Sequence, residues 1–352
     1  MSARIYAGAA KWLGRDETAR PGGLFRQAIG DDRWERLGGG FPDDVEVRAI
    51  AVHPRDTQVI YAGTQYGPYR SADGGERWKA LGLPDADMTV WSFLFHPRDA
   101  NVLYAGTAPA ALYRSDDGGD SWRRLPAFRG PMRVKMSFPT RVTRLAADLS
   151  HPQELYAGLE VDGILRSLDG GESWEDVSHD LLKLSERPHL KSRIVSDTEI
   201  EGMMDTHALC VSSAAPGTVF LAVRMGIFKS ADRGAAWEDL EIGRFSPLTY
   251  ARDVRVSPHD ARTLYACLSP AAQSEDGSLY RSQDLGQSWQ RFDRGVKALS
   301  TMMAVALHGK DPEQIYCGTR SGQVFGTQDG GRTWRDYPLP AGTQDVYALA
   351  CA

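Results

Sequence analysis

The chain has 352 residues, a quarter of them charged, and a formal net charge of −5. That balance suits a water-soluble globular protein and excludes a dedicated nucleic-acid binder, which carries a basic excess. No run of 18 apolar residues occurs, and Met1-Ser2-Ala3-Arg4-Ile5-Tyr6 enters strand-like sequence without a signal peptide, so no membrane partner and a cytoplasmic location are expected.

In chain order, residues 4 to 8, 24 to 27 and 33 to 37 read as three strands, and the stretch from Gln27 to Trp34 between the last two has the length of the eight-residue turn pattern given below with its Ser, Asp and Gly lost. Val45 to Val52 is the next strand, followed by a His-Pro-Arg-Asp turn, a strand from Val59 to Thr64, one from Pro68 to Ser71, an Asp-Gly-Gly turn, and a short strand from Arg77 to Ala80. This unit then repeats. Each copy ends on the eight-residue pattern S/T-x-D-x-G-x-x-W: Ser71 to Trp78, Ser115 to Trp122, Ser167 to Trp174, Ser230 to Trp237, Ser282 to Trp289 and Thr327 to Trp334. In the turn, the Ser and Asp side chains can bond backbone amides, Gly supplies positive φ, and Trp covers the seam. Four antiparallel strands in a repeat of about 44 residues are the signature of a propeller blade.

The ends complete the count. Residues 344 to 350 match an innermost strand with nothing after it, and the first three strands match outer strands with nothing before them. The expected fold is therefore all-β, a single seven-bladed β-propeller closed by pairing of the carboxyl-terminal strand with the amino-terminal ones. Its blades are expected near 45–81, 89–125, 141–177, 206–240, 250–292, 301–337 and 344–352 plus 3–37, with a lid-like insertion at 178–205.

These repeats resemble Asp-box (BNR) repeats, which cover nearly the whole chain. The resemblance implies a propeller with the boxes on turns between third and fourth strands, away from the usual active site. Its families include sialidases, xyloglucan hydrolases, sortilin-type receptors and a photosystem II assembly factor, so the fold does not give the function. The sialidase Arg-Ile-Pro signature is absent, and xyloglucan hydrolases pair two propellers where this chain can build one.

Gapless alignment of the inner strands gives an apolar column at Ile50, Phe93, Leu145, Cys210, Val254, Val305 and Leu349. Two residues earlier stand Arg48, Trp91, Thr143, Ala208, Arg252, Met303 and Tyr347, and four earlier Glu46, Thr89, Arg141, Thr206, Tyr250, Thr301 and Asp345. Polar groups converging at a channel mouth are the expected site. The long connections, residues 9 to 22, 126 to 139, 178 to 205 and 268 to 278, fall on the same face.

Arg48, Arg141, Arg144, Arg224 and Arg252 are the candidate anion clamp, because Arg forks hold carboxylates in bidentate fashion. His207, oriented by Asp205 or Asp345, is the candidate proton-transfer group, with Tyr250 and Tyr347 as donors or acid. Trp12 and Trp91, the two tryptophans outside the rhythm, together with Glu46 and His189 are candidate ligand contacts. Glu201, Asp205 and His207 form a weak metal-ligating set with no compact motif behind it; no redox cofactor is expected. The four cysteines have no C-x-x-C spacing and read as small core residues. The leading expectation is a cytoplasmic hydrolase or lyase acting on a small carboxylate-bearing molecule. A non-catalytic propeller docking a protein partner on the basic loop around Arg129 to Arg144 is the first alternative, and a glycoside hydrolase the second.

Overall fold

The structure is a computed structural model that describes residues 3–11, 22–194, 196–343 and 345–352. Among these residues, 28 strands form seven four-stranded antiparallel sheets, in six of which the strands follow chain order. The seventh runs from the carboxyl-terminal strand Val346–Cys351 to Arg4–Ala9, Gly23–Ala28 and Glu35–Leu37. Its register, Ile5 opposite Cys351 and Ala7 opposite Leu349, closes the ring of a seven-bladed β-propeller. Closure hides both edges that an open sheet would expose. A second clasp lies further out, where the Trp34 indole donates to the Tyr337 carbonyl oxygen at 2.9 Å.

The Ser/Thr, Asp and Gly of the eight-residue pattern bond the same way in each copy, and the tryptophan indole returns to the Gly carbonyl in three of them, at Trp78, Trp174 and Trp289. Ser71 Oγ accepts the Gly75 N–H at 2.8 Å and donates to Asp73 Oδ1 at 2.9 Å, while Asp73 Oδ1 accepts the Arg77 N–H at 3.0 Å. Trp78 Nε1 then bonds the Gly75 carbonyl at 2.9 Å, and Gly75 has φ +100°, a region that glycine alone enters without strain. Three neighbouring pairs of blades are linked through the tyrosine of the second strand: Tyr6, Tyr61 and Tyr104 donate to the carbonyls of Gly74, Gly118 and Gly170 in the following blades. Close approach of neighbouring sheets also requires glycine at Gly106, where a Cβ would meet Val142 Cγ1 of the next blade at 2.6 Å.

Because the strands alternate in direction, the first-to-second turns and the eight-residue turns lie on one face. The entrances of the inner strands, such as Val47 paired with Thr64 and Thr64 with Gly67, lie on the other. The insertion after Val177 sits on that second face. Its helix His179–Leu184, the turn Pro188–Leu190 and the short helix Glu201–Met204 bury Leu181, Leu184, Leu190, Met203 and Met204 against blades three and four. It is a packed shoulder on those two blades, and Ile194 and Glu201 form part of the channel wall.

Candidate functional site

Each inner strand carries one extra residue near its entrance. Pairing in the first blade steps from Val47 opposite Thr64 to Ala49 opposite Gly63, which leaves Arg48 unmatched. The same step skips Trp91, Thr143, His207, Arg252 and Met303 in the next five blades and Tyr347 in the closing one. A bulge breaks the in-out alternation and re-aims its side chain. All seven bulge residues line one cavity of about 540 Å³ at the channel mouth.

The bulges correct the gapless alignment in blade four. His207 shares the column of Arg48, in place of Ala208, and Asp205 shares that of Glu46, Arg141, Tyr250 and Asp345, in place of Thr206. Ala208, Leu209 and Cys210 are all apolar, so apolar character alone leaves the register open by one residue.

Arginine on aromatic rings makes one side of the chamber. The Arg48 guanidinium carbon lies 5.0 Å from the Trp91 ring centroid and 5.8 Å from that of Tyr347, and those two rings meet edge to face at 5.4 Å. Arg141 lies 4.2 Å above Trp91 and 4.8 Å from Phe138. Glu46 holds Arg48 Nη2 at 2.6 Å, and Glu160 holds Arg141 in close contact. Nevertheless Arg48 Nε, Arg48 Nη1 and Trp91 Nε1 are buried with no acceptor on the protein.

On the opposite side stand Asp205, His207, Arg224, Tyr250 and Arg252. His207 Nδ1 lies 2.7 Å from the Ala251 carbonyl oxygen, so it carries a hydrogen, and Nε2 lies 3.1 Å from Asp205 Oδ2 and 3.4 Å from the Tyr250 hydroxyl. Burial pushes the His207 imidazole below the usual histidine range while Asp205 pulls against it. Burial works against ionising Asp205, but His207, Arg224 and Arg252 outweigh it and hold that carboxyl at about 2. Asp205 and His207 thus act as one proton-sharing unit, and Tyr250 is the group through which it can reach a ligand. Arg224 approaches Asp205 at 3.7 Å yet leaves its own Nε buried without an acceptor. Among the described residues, no carboxylate lies within 4 Å of Arg252.

Deeper in the channel, Asp253 is fully buried between Arg144 at 2.9 Å and Arg255 at 3.1 Å and accepts the Val305 N–H at 3.2 Å. Burial lowers the Arg144 guanidinium to about 10. Tyr347 is raised to about 12 by burial, against the pull of Arg252, Arg48 and Arg141.

Several expected residues lie elsewhere or serve the frame. Asp345 does not orient His207; it holds Arg320 at 3.0 Å. His189 is exposed beside Asp239 at 3.4 Å and does not line the cavity. Glu46 acts through Arg48, and Trp12 lies outside the described residues. The donor atoms of Glu201, Asp205 and His207 do not converge: Glu201 Oε2 is taken by the amides of Ile194 and Ser196 and by Ser196 Oγ. Asp148, His151 and Glu154 bring ligand atoms within 4.8 Å of one another on the far face, but Asp148 accepts the amides of Ser150 and Gly217, and Glu154 accepts Tyr156 and Arg233.

Sequence reasoning missed Glu160. It lies four residues after Tyr156, as Gln65, Arg224 and Arg320 lie four after Tyr61, Phe220 and Tyr316, and aligning second strands on that position would have found it. Half-buried in the wall, Glu160 is raised to about 7 by desolvation, against the pull of Arg141 and Arg252 and with the help of Asp205.

No protein-family profile matches the chain, and no curated protein matches its sequence. Solved structures do match. The xyloglucanase of family GH74 from Xanthomonas campestris superposes with a TM-score of 0.62 at 21% identity, over 88% of this chain and 47% of that one. YCF48 from Cyanidioschyzon merolae gives 0.59 at 16% identity, over 89% and 90%, and a YCF48 bound to D1 peptide gives 0.51 at 18%, over 79% and 77%. These likenesses show the fold. The chain spans less than half the length of the xyloglucanase.

Proposed function

We propose that the chain is an enzyme of the hydrolase or lyase type, acting on a small carboxylate-bearing molecule held in the bulge-ring cavity. The reading rests on the surplus of buried donors there. Arg48 Nε and Nη1, Trp91 Nε1 and Arg224 Nε have no acceptor on the protein, and Arg252 lines the same cavity. Buried donors are nearly always satisfied, so a ligand that brings acceptors and negative charge fits this wall. Arg48, Arg141 and Arg252 would hold the anion across the channel, while Tyr250, backed by His207 and Asp205, would exchange a proton with it. The eight-residue pattern, read as an Asp-box, plays no part in this chemistry, since it folds on the opposite face.

Calorimetric titration with sulfate and with a series of mono- and dicarboxylates tests the reading. Saturable binding is expected, weakened about 10- to 100-fold in Arg252→Gln, the range of one or two charge-assisted hydrogen bonds. Absence of saturable binding by every small anion would sink it.

A second reading, a protein-docking propeller, is favoured by the YCF48 structure that holds a D1 peptide and that this chain matches over most of both lengths. Against docking on the basic loop, Arg133 is tied to Asp162 and Asp176, and Arg141 and Arg144 face the channel. Likeness to a GH74 enzyme supports glycoside hydrolysis through the fold alone.

A further inference from the structure

Glu160 reaches the cavity by an unusual turn. The second strand of blade three ends at Leu159, and Val161 follows Glu160 at φ +54°, a left-handed conformation that a β-branched residue adopts only under constraint. The constraint is visible: Asp162 accepts the amides of Met132 and Arg133 at 2.9 and 2.8 Å, which locks the turn to the long loop that also supplies Phe138. Among the residues four after the aromatic position of the second strands, Gln65, Ala108, Glu160, Arg224, Ser269, Arg320 and Ala10, this is the one carboxylate.

The partner of Glu160 is Arg141, and the two are joined twice. Their side chains are in close contact, and the Glu160 N–H donates to the Arg141 carbonyl oxygen at 3.0 Å. The backbone bond keeps the residues together whether or not the side chains touch, and Trp91 and Phe138 sandwich the Arg141 guanidinium in place without help from Glu160. Building on the anion-pocket reading above, we propose that Glu160 and Arg141 form a proton-linked latch: the Glu160 carboxylate holds Arg141, and protonated Glu160 releases it to an anionic ligand. One proton is taken from solvent as the anion settles on Arg141 and is returned as it leaves. The charged groups facing Glu160 are Arg141 and Arg252, which favour its carboxylate, and Asp205, which opposes it. Desolvation opposes the carboxylate most strongly, Asp205 less so, and the group comes to about 7, near neutral pH.

The test is calorimetric binding of sulfate, which does not itself titrate in this range, between pH 6 and 8.5 to the full-length protein and to Glu160→Gln. Wild-type affinity is expected to fall by about tenfold per pH unit above 7, as linkage to one proton requires, while Glu160→Gln binds tightly and evenly across the range. A variant that keeps the wild-type slope would overturn the latch and point to His207 as the titrating group. A second measurement needs no ligand: the side-chain carboxyl resonance of carbon-13-labelled glutamate that disappears in Glu160→Gln is followed by NMR. A midpoint near 7 supports the latch, and one below about 5, the range of an ordinary carboxyl, overturns it. Failure of sulfate to bind wild-type protein would instead remove the anion-pocket reading and leave the NMR midpoint to decide whether Glu160 holds its proton.

Discussion

Arg48 and His207 occupy one structural position in two blades, each being the residue skipped where the inner strand bulges against the second. A strand that kept strict alternation would send its mouth residue in or out with its neighbours. The bulge frees that residue from the pattern, so a single backbone device repeated seven times gathers Arg, Trp, Thr, His, Arg, Met and Tyr around one opening. The chemistry is varied because the frame is uniform.

From this position follows an expectation for His207. With Nδ1 fixed on the Ala251 carbonyl and Nε2 on Asp205, His207→Ala should lower turnover of an identified substrate by about a hundredfold or more, the scale of general acid-base catalysis. Tyr250→Phe should show a comparable loss with a substrate KM within a few-fold of wild type. Unchanged turnover in both variants would remove the proton relay.

Asp253 carries a different load. It is fully buried and serves two arginines and an amide, so Asp253→Ala strands the Arg144 charge in the channel and should destabilise by about 3–5 kcal/mol, read as a fall in the denaturant midpoint. Adding Arg144→Met should recover part of the loss, since it removes the uncompensated charge. A double variant less stable than the single one would contradict this account.

What was legible in the sequence divides along the same line. Six blades followed from Ser71, Asp73, Gly75, Trp78 and their repeats, because turn chemistry is local and each copy reports independently, and the seventh blade and the closure followed from the strand patterns left over at the two ends, 344 to 350 and 4 to 37. The site was legible as a face and as most of a column, but His207 was placed one register off. A bulge adds a residue without adding a signal, and the apolar run Ala208-Leu209-Cys210 fits either register. Asp345 and Glu46 illustrate the other limit: a carboxylate near an arginine cluster reads as ligand-facing until the geometry shows which arginine it holds. Glu160 was within reach of a second-strand alignment by its position, but its strained turn and its contact with Arg141 are tertiary and leave no mark in the sequence.

The turns predict an acid response. Hydrogen bonds from the side chain and amide four residues on hold Asp73, Asp117, Asp169 and Asp329 at about 2, below the usual 3.8. A carboxyl depressed in the folded state stabilises above its unfolded value and loses that contribution as pH falls through the folded one. The melting temperature should therefore drop between about pH 4 and 2, the window those values set. Asp73→Asn should lower it at pH 6 and reduce the acid drop. An acid drop as steep in a variant with all four aspartates replaced would show that other groups drive it.

Ring closure is the last expectation. The strand Val346–Cys351 pairs with Arg4–Ala9 and also brings Tyr347 against Arg48 and Trp91, so it serves the fold and the cavity together. A chain ending at Thr343 loses both, and the freed edge at Ile5, Ala7 and Ala9 offers an unpaired ladder to other chains. It should melt at lower temperature, self-associate by light scattering and bind sulfate more weakly than the whole chain. Adding a synthetic peptide of residues 344–352 should restore monomer and binding together, because the peptide replaces the edge and the tyrosine in one step. A truncated chain that stays monomeric with wild-type melting would mean that the Trp34–Tyr337 clasp and blade packing hold the ring without its closing strand.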